Sequence, residues 1–544
     1  VVTADVVGTN DNTPPLTGSI DDDTASVFVS VDTQTVAATI NGDGTWSVAD
    51  GVLTVLADSV YDISVTATDA AGNSSSDSTV NELTIDTTTP AAPGTPDLDA
   101  ASDLGTADDD DLTNVTTPTL SGTGEPGAVV TLTSDLNGIV GTATADGSGN
   151  WAITTSALAD GTHQLTATAT DTAGNTSAAS TALSVTVDTA SPAAPGAADL
   201  DAASDSGTSD NDDLTNNNTP TVSGTSEAGA TIALASDVDG TVGTTTADGS
   251  GNWAITTSAL TEGGQSLTST ATDAAGNTSA ASAALAITID ITAPAAPSAP
   301  DLDVASDSGI SDTDDTTNVT TPTLAGTAVV GTTVTLTSDI DGVVGTTTAD
   351  GSGNWSITSS TLVEGTHSLT ATATDAAGNT GVDSTALAII VDTTAPVAPS
   401  VPDMADASDS GNSSTDDITA NTTPIINGTA EAGASVTLAS DLDGIVGTTT
   451  ADGSGNWSIT TVALTSNTHT LTATTDDIAG NASTLSPTLS ITVDTTSPAA
   501  PGVADLESAS DTGSSDSDDI TNATTPTVSG TSEAGATIAL ASDV

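Results

Sequence analysis

The sequence lacks three residue types that most proteins use: cysteine, lysine and arginine. Without cysteine, disulfides, thiol nucleophiles and cysteine-based metal sites are excluded, so small secreted domains need another way to become rigid. Without a single Lys or Arg against 73 Asp plus Glu, the chain cannot bind nucleic acid or dock on an anionic membrane surface by charge. No apolar run approaches the roughly 20 residues of a membrane-spanning helix.

Aromatic residues are also scarce, at 1% of the chain, and few aromatics with a high net charge are typical of disordered proteins. Two features favour a folded chain. The polar residues are mainly Thr and Ser, and Val, Ile and Leu alternate with them as in half-buried strands. Folded β domains are therefore the prediction, with disorder as the alternative.

The main positive signal is an internal repeat. The segment DGSGNW ends at Trp151, Trp253, Trp355 and Trp457, at intervals of 102 residues, and a variant, NGDGTW, ends at Trp46. A Pro-containing segment, DTTTP at 86–90, recurs in related forms at the same interval. A period near 100 residues is typical of one sandwich domain rather than of a solenoid turn.

The Pro-rich segments predict the domain boundaries. We expect a divergent first domain, four full repeats and a truncated sixth repeat, at 1–88, 89–190, 191–292, 293–394, 395–496 and 497–544. The linkers are short and rich in Pro and Ala, so we expect semi-rigid, extended joints. The sequence begins with Val1, and its last residue, Val544, falls within a repeat, so we expect both ends to continue in a longer protein.

Short alternating runs separated by turn residues predict an all-β fold of tandem immunoglobulin-like domains, each a seven-strand antiparallel β-sandwich, in an extended array. In 191–292, strand A is expected near 193–200, and alternation is clearest in strand C (231–236) and strand G (282–289). Each repeat has one Trp, which we expect to fill the space between the sheets. A platform for stacking sugar rings is the alternative role for these indoles.

The candidate metal ligands lie in a loop between predicted strands A and B. In 191–292 this acidic loop spans 201–216, and six Asp lie in one window at 199–213 with no basic residue to pair with them. Crowded carboxylates repel each other unless a cation intervenes. Ca²⁺ takes roughly six to eight oxygen ligands in flexible geometry. The sequence therefore predicts calcium at each acidic loop, with a solvated, halophile-type surface as the alternative.

The predicted calcium ligands occupy equivalent positions in five repeats. They are Asp97, Asp99, Asp103, Asp110 and Asp111; Asp199, Asp201, Asp205, Asp210, Asp212 and Asp213; Asp301, Asp303, Asp307, Asp312, Asp314 and Asp315; Asp403, Asp409, Asp416 and Asp417; and Asp505, Asp511, Asp518 and Asp519. Glu507 and Asp516 occupy two further acidic positions in the last loop, whereas Ala405 and Ser414 interrupt the pattern in the fifth domain. In all five loops an Asp-Asp pair is followed two residues later by Thr.

Sandwich geometry predicts where such a site lies. The A–B, C–D and E–F turns share one end of a seven-strand sandwich with the end of strand G. We therefore expect the acidic loop of 191–292 near its own turn at 237–240 and near Asp290. The F–G turn of the next repeat, with Asp375 and Asn379, is expected to face the same end. Calcium at this junction would lock adjacent domains together.

No catalytic constellation is apparent. His163, His367 and His469 occupy one repeat position at the start of strand F, and Gln265 replaces them in the third domain, which indicates structural side chains. No G-x-S-x-G nucleophile elbow follows a strand and opens a helix. The prediction is that the protein is not an enzyme.

The motifs together resemble the bacterial Ig-like repeats of giant surface adhesins. The likeness rests on DTTAPAAP, DLDAASDSGTSDxDDxTN, TPTxSGTxExG, ADGSGNW and LTATATDxAGN, and it covers residues 89–544 closely. Residues 9–31 resemble a related subtype. The resemblance implies tandem sandwiches with calcium at the junctions, in a stalk that projects a distal ligand-binding tip. It also implies type I secretion to the bacterial cell surface and a part in biofilm formation.

The predicted function is therefore a structural stalk. Its partners are calcium ions and neighbouring repeats of the same chain, and the host or surface ligand is expected to bind elsewhere in the full protein. The alternative is a module that itself grips a carbohydrate or a partner protein. The divergent first domain, 1–88, is the candidate for that role, because the near-identical repeats offer no dedicated site.

Overall fold

A computed structural model describes the chain except for Ser78, Thr106, Asp108, Asn412, Asp516 and Val544, so the predicted acidic position Asp516 lies outside the described residues. The chain comprises two compact units, Val1–Thr292 and Ala293–Val544. The described residues form strands, turns and loops, which confirms the prediction of an all-β fold of tandem sandwiches. None of them forms a helix long and apolar enough to cross a membrane.

Sandwich 1, in the first unit, has eleven strands among its described residues. They are β1 (Val2–Ala4), β2 (Val7–Thr9), β3 (Leu16–Ile20), β4 (Ser26–Val31), β5 (Gln34–Ala37), β6 (Thr39–Ile40), β7 (Thr45–Val48), β8 (Ser59–Tyr61), β9 (Ile63–Thr68), β10 (Ser74–Asp77) and β11 (Leu83–Ile85). The sheet orders are β1-β3-β7-β6, β10-β9-β4-β5 and β2-β11-β8. Their inward side chains form one core around Trp46.

Sandwiches 2 and 3 complete the first unit and share one topology. Sandwich 2 contains β12 (Asp97–Leu98), β13 (Leu112–Thr113), β14 (Thr119–Thr123), β15 (Val129–Ser134), β16 (Gly138–Thr144), β17 (Asn150–Thr154), β18 (Gly161–Thr170) and β19 (Leu183–Val187). Sandwich 3 contains β20 (Asp199–Leu200), β21 (Leu214–Thr215), β22 (Thr221–Thr225), β23 (Thr231–Ser236), β24 (Gly240–Thr246), β25 (Asn252–Thr256), β26 (Gly263–Thr272) and β27 (Leu285–Ile289). In sandwich 3 a three-stranded sheet, β20-β22-β25, faces a five-stranded sheet, β21-β27-β26-β23-β24.

Sandwiches 4 and 5, in the second unit, repeat this topology. Sandwich 4 contains β28 (Asp301–Leu302), β29 (Thr316–Thr317), β30 (Thr323–Thr327), β31 (Thr333–Ser338), β32 (Gly342–Thr348), β33 (Asn354–Thr358), β34 (Gly365–Thr374) and β35 (Leu387–Val391). Sandwich 5 contains β36 (Asp403–Met404), β37 (Ile418–Thr419), β38 (Ile425–Thr429), β39 (Ser435–Ser440), β40 (Gly444–Thr450), β41 (Asn456–Thr460), β42 (Thr468–Asp476) and β43 (Leu489–Val493). Beyond residue 497, the described residues form only β44 (Asp505–Leu506) and β45 (Val528–Ser529).

Strand A is split in sandwiches 2 to 5, which differs from the single strand expected at 193–200. In sandwich 3, β20 pairs antiparallel with β22, whereas β21 pairs in parallel with β27 in the other sheet. Pro192 and Pro195 have no N–H to donate, so the ladder begins only at β20. The acidic loop is therefore a crossing between the two sheets rather than a hairpin between strands A and B.

Each repeat's Trp lies in the core, as predicted. Trp253 is 4% exposed and packs over Gly224, where an added Cβ would lie 2.6 Å from the Cζ2 atom of the indole. That distance is far inside van der Waals contact, so only glycine leaves room for the ring at this position. Buried residues alternate with half-buried ones along β23 and with exposed ones along β25, and this alternation builds the rest of the core.

Candidate metal centre

Hydrogen bonds within the acidic loop fix the conformation of its backbone, as sandwich 3 shows. The N–H groups of Ser204 and Asp205 donate to the carbonyl oxygen of Asp201, at 2.7 and 3.0 Å, and close a turn. The buried Thr215 donates its Oγ1 hydrogen to the carbonyl oxygen of Ser204. Equivalent threonines make this bond in the loops of sandwiches 2, 4 and 5: Thr113, Thr317 and Thr419. This bond explains why Thr recurs two residues after each Asp-Asp pair.

One carboxylate in each acidic loop is buried. In sandwich 3 it is Asp205, which is 6% exposed, and Asp103, Asp307, Asp409 and Asp511 occupy the same position with similar burial. Oδ2 of Asp205 accepts a hydrogen bond from the N–H of Asp213 at 3.3 Å. Oδ1 of Asp205 has no hydrogen-bond partner within the described part of the chain, and the same holds for Oδ1 of Asp307, Asp409 and Asp511. Burying an ionised oxygen without a partner is costly.

A second carboxylate sits on a strained backbone. Asp213 has a φ of 58°, in the left-handed region, and Asp111, Asp315, Asp417 and Asp519 have φ between 56° and 59°. Asp is among the few non-glycine residues that tolerate this region. The carbonyl oxygen of Asp213 accepts the N–H of Thr288 at 2.8 Å, which attaches the loop to strand G.

Burial raises the pKa of the Asp213 carboxyl, and the nearby carboxylates of Asp205, Asp199 and Asp212 raise it further, in that order. The pKa of Asp111, Asp315 and Asp417 is raised by burial and by the corresponding neighbours. The structure therefore brings four of the predicted ligand positions within electrostatic reach of one another. In sandwiches 2, 3, 4 and 5 in turn, these positions are Asp97, Asp103, Asp110 and Asp111; Asp199, Asp205, Asp212 and Asp213; Asp301, Asp307, Asp314 and Asp315; and Asp403, Asp409, Asp416 and Asp417.

Other predicted ligands are placed differently. Oδ1 of Asp201 accepts the hydroxyl hydrogen of Ser223 at 2.6 Å, and Asp99 makes the same contact with Ser121. Oδ1 of Asp303 accepts the N–H of Ala305 at 2.9 Å. Asp210 is exposed, whereas Asp312 contributes to the raised pKa of Asp307, after the larger effect of burial. In the last loop, Oδ2 of Asp511 accepts the N–H of Asp519, and Asp505 and Asp518 are exposed.

The residues present suit a hard cation only in part. The donor set consists of carboxylate, hydroxyl and carbonyl oxygens, which favours Ca²⁺ or Mg²⁺ over Zn²⁺. The buried Oδ1 of Asp205 has a free acceptor site. However, no three Asp, Glu or His side chains of the described residues are arranged so that they hold a metal ion as they stand. Mutually repelling carboxylates spread apart, so closing around an ion would require them to move inward.

The C–D turn does not join this group. Oδ1 of Asp237 accepts the N–H of Ser266 at 2.8 Å, and Oδ2 of Asp239 accepts the N–H of Thr261 at 2.9 Å. These carboxylates are therefore bonded to strand F and the segment before it. The end of strand G does meet the loop, because the N–H of Asp290 donates to the carbonyl oxygen of Thr215 at 2.9 Å.

In the first unit, the F–G turn of sandwich 3 contacts the acidic loop of sandwich 2. A Cβ on Gly105 would lie 2.4 Å from the carbonyl oxygen of Ala274, so the two backbones are in close contact. Nδ2 of Asn277 donates to the carbonyl oxygen of Asp188, at the end of strand G of sandwich 2, at 2.8 Å. It also donates to Oδ2 of Asp273, which holds the amide in place.

The second unit contains the same junction between sandwiches 4 and 5. Nδ2 of Asn481 donates to the carbonyl oxygen of Asp392 at 2.8 Å. From the acidic loop, the Ser308 hydroxyl donates to the carbonyl oxygen of Ala479 at 2.7 Å. Sequence reasoning located the F–G turn at this end but missed the role of its Asn, although the recurrence of D-x-A-G-N in all five complete domains was the available signal.

Sandwich 1 has no acidic loop, yet its junction with sandwich 2 uses the same Asn contact. Nδ2 of Asn175 donates to the carbonyl oxygen of Asp86 at 2.6 Å, and the N–H of Asn10 donates to the carbonyl oxygen of Ala173 at 3.0 Å. The Asn contact is therefore independent of the acidic loop, and the two features are separable parts of a junction.

The three histidines are structural. His163 is fully buried, and its Nε2 lies 2.7 Å from the carbonyl oxygen of Ala159. A carbonyl oxygen only accepts, so Nε2 carries the hydrogen and Nδ1 accepts from the hydroxyl of Ser134. Gln265 and Tyr61 donate to the equivalent carbonyl in sandwiches 3 and 1. Three different side chains thus perform one packing and hydrogen-bonding role.

Six segments of the chain match the bacterial Ig-like domain family, at 3–87, 89–189, 192–291, 293–393, 394–495 and 497–544. The protein belongs to this family. No similar sequence was found among curated proteins.

Several solved structures are similar to the chain. One is a tetra-tandem repeat from the extending region of a large adhesion protein, with 24% identity over 72% of this chain and 99% of that chain and a TM-score of 0.26. A Ca²⁺-stabilized adhesin with which an Antarctic bacterium binds ice has 28% identity over 72% and 98%, with a TM-score of 0.29. A 1.5-MDa bacterial ice-binding adhesin has 26% identity over 56% and 99%, with a TM-score of 0.23.

Proposed function

We propose that the chain is a stalk segment of a bacterial cell-surface adhesin. In this proposal Ca²⁺ at the acidic loops stiffens the junctions between consecutive sandwiches, and another part of the protein binds the surface or host ligand. The role is structural rather than enzymatic. The neighbouring repeats of the same chain and calcium ions are its partners, and secretion, by a type I system, places it outside the cell.

The observation that carries the proposal is the buried Oδ1 of Asp205 and of its equivalents Asp307, Asp409 and Asp511. This oxygen lies in a chain without Lys or Arg, so no basic side chain can neutralise it. The carboxylates around it raise the pKa of Asp213, which means that they repel one another in the folded protein. An external cation is the remaining source of positive charge at this place.

The position of the acidic loop supports a role at the junction. In the first unit the loop of sandwich 2 contacts the F–G turn of sandwich 3 at Ala274, and in the second unit Ser308 bonds to Ala479. Any change that fixes the loop therefore also fixes the surface on which the next sandwich rests. Asp97, Asp103, Asp110 and Asp111, with their equivalents, would hold the ion, which supplies the positive charge that draws these oxygens together.

The concentration of calcium would then set the state of the stalk. At low calcium, repulsion within each loop lowers the stability of the folded state and leaves the junctions loose. At high calcium, binding to the folded state stabilises it by mass action, because the unfolded chain offers no assembled site. A chain that becomes rigid only after export fits this behaviour.

Small-angle scattering of the whole chain, in calcium and in chelator, tests the proposal. We expect the maximum dimension to increase, or the flexibility to decrease, when calcium is added, and calorimetry to record binding. A loop variant carries Asp103→Asn, Asp205→Asn, Asp307→Asn and Asp409→Asn. A matched control removes the same number of charges from the D–E turns, with Asp146→Asn, Asp248→Asn, Asp350→Asn and Asp452→Asn.

The loop variant should lose the response to calcium, whereas the control should keep it. An unchanged scattering curve in the unaltered protein, with no heat of binding, would refute the calcium-stiffened stalk. Equal loss of the response in both variants would show that general acidity, and not the acidic loop, is responsible.

A further inference from the structure

The C–D turns of sandwiches 2 to 5 differ in whether the residue before the turn glycine carries a charge. The residue before the turn glycine is Asp239, Asp341 or Asp443 in three of them, but Asn137 in sandwich 2. The three carboxylates share a contact, because each accepts the backbone N–H of a residue in the E–F connection. Oδ2 of Asp443, for example, accepts the N–H of Thr465 at 2.9 Å.

The same carboxylates also lie beside the buried side chain that opens strand F. Oδ2 of Asp341 is 3.5 Å from Nδ1 of His367, and Oδ2 of Asp443 is 3.6 Å from Nδ1 of His469. In sandwich 3, Oδ2 of Asp239 accepts a hydrogen from Gln265. A carboxylate at this position therefore joins the C–D turn to the E–F connection, and in sandwich 3 also to strand F.

Sandwich 2 has neither contact. Within the described residues, no hydrogen bond is made by the side-chain amide of Asn137, and none by the N–H of Ala159, which is the equivalent of Thr465. Asn137 is exposed. The residue that follows it, Gly138, has a φ of 73° and open space within 4 Å of the position of an added Cβ.

We propose that Asn137 is a site of spontaneous deamidation, and that its aspartate product makes the contact that Asp341 and Asp443 make in their own sandwiches. The backbone nitrogen of Gly138 attacks Cγ of Asn137, the carbon–nitrogen bond of the amide breaks, and ammonia leaves. Water then opens the cyclic imide at either carbonyl, which yields aspartate or isoaspartate. The net reaction consumes one water and releases one ammonia, without an oxidant or a reductant.

Two other Asn-Gly pairs in the chain serve as internal controls. The side chain of Asn41 is held at both ends, because Nδ2 donates to Oγ1 of Thr45 at 2.9 Å and Oδ1 accepts from the hydroxyl of Ser47. Asn427 lies in the middle of β38, paired on both sides with Asp403 and Ser458, where the extended ladder holds its backbone. Both pairs share the sequence, but neither has, as Asn137 does within the described residues, a side chain that lies outside a strand and makes no hydrogen bond.

The test is incubation of the whole chain at mildly alkaline pH, followed by cleavage before Asp residues and peptide mass spectrometry. We expect the change from amide to acid at residue 137 about tenfold faster than at residues 41 and 427, which corresponds to a barrier difference of about 1.4 kcal/mol. Equal rates at the three sites, or no reaction at residue 137, would overturn the proposal.

The effect of the aspartate product is tested with Asn137→Asp, followed by amide hydrogen exchange. The N–H of Ala159 should exchange as slowly as that of Thr465, its equivalent in sandwich 5. Asn137→Ser, which restores no acceptor of the same reach, should leave the exchange of Ala159 unchanged. Unaltered exchange in Asn137→Asp would show that the product does not form the contact.

Discussion

The D–E turns and the acidic loops both contain Asp and Gly, yet the environments of their carboxylates are opposite. In the D–E turn of sandwich 3, Oδ1 of Asp248 accepts the N–H groups of Asn252 and Ser250 at 2.9 and 2.8 Å, and these bonds lower its pKa. In the acidic loop, burial and neighbouring carboxylates raise the pKa of Asp213. The turn satisfies its carboxylate with backbone N–H groups, whereas in the loop burial and like charges outweigh the few N–H groups that reach the carboxylates.

This difference shows that an acidic composition does not by itself imply a need for cations. Asp146, Asp350 and Asp452 are satisfied by backbone N–H groups in the same way as Asp248. The need is local to the acidic loops. Calcium should therefore stabilise the acidic loops at the junctions and leave the stability of the D–E hairpins unaffected. This contrast can be tested by changing the ion, the carboxylates and the pH in turn.

The largest effect is expected from calcium itself. A site that binds only the folded state gains about 2.7 kcal/mol when the free ion is at about 100 times its Kd. Since ΔΔG of 1 kcal/mol shifts the Tm of a 100-residue domain by about 4–8 °C, the change should be plain in a calorimetric scan. Equal melting temperatures in calcium and in chelator would contradict a cation-dependent loop.

Asp205→Asn should have a smaller effect on the free energy of unfolding, and this effect should have opposite signs in chelator and in calcium. In chelator the variant removes a buried charge whose Oδ1 has no partner in the described part of the chain, and it should be more stable by about 1 kcal/mol. In calcium it removes a ligand and should be less stable than the unaltered protein. Chemical denaturation in both conditions measures the two differences.

The control for that measurement is Asp248→Asn. It replaces a charged acceptor with a neutral one and so weakens the hydrogen bonds from the N–H groups of Ser250 and Asn252, which should lower stability in calcium and in chelator alike. If Asp205→Asn behaved as this control does, the contrast between loop and turn would be lost.

The pH dependence in chelator should have two opposing parts. The folded pKa of Asp213 is raised above its ordinary value of 3.8, so the folded state binds the proton more tightly and gains stability as pH falls from neutral toward that value. The folded pKa of Asp248 is lowered from 3.8, so its stabilisation is present above 3.8 and is lost as pH falls through the folded value. Denaturation midpoints measured from pH 7 downward should first rise and then fall.

Calcium should abolish the rising part, because the ion takes over the role of the proton. A midpoint in chelator that falls steadily from pH 7, without a rise, would mean that the acidic loops are not strained by their own charge.

The smallest effect is expected for Asn277→Ala at the junction. The variant loses one interdomain hydrogen bond, worth about 0.5–1.5 kcal/mol, and the loss should be the same with and without calcium. The matched control is Asn73→Ala, because Asn73 makes the same bond to Asp69 within its own turn but is exposed. Hydrogen exchange at the sandwich 2–3 junction should respond to Asn277→Ala only. A response that depends on calcium would mean that the Asn contact and the acidic loop are coupled rather than independent.

Much of the fold was predictable because its signals are periodic. The interval between the tryptophans, the alternation in β23 and the turn residues all follow from residue type and spacing. The split of strand A was not predictable, since a two-residue strand such as β21 has no periodic signal and its parallel partner, β27, lies far along the chain. The domain boundaries and the ligand set stay predictions.

At the candidate site, the crowding of Asp was visible in the sequence but its internal order was not. Six similar residues give no indication that Asp205 is the buried one or that Asp213 has a positive φ, because both properties depend on how the loop crosses between the sheets. Similarly, Asn277 resembles any turn asparagine until the preceding sandwich is placed beside it.

The presence of a single Trp in each sandwich allows the unfolding of individual sandwiches to be followed by fluorescence. The sequence contains five Trp, and each sandwich encloses one of them in its core. Fluorescence from a chain in which only Trp253 is retained would report the opening of sandwich 3 alone. A set of such single-fluorophore chains would show the order in which the sandwiches lose their structure under heat or mechanical load.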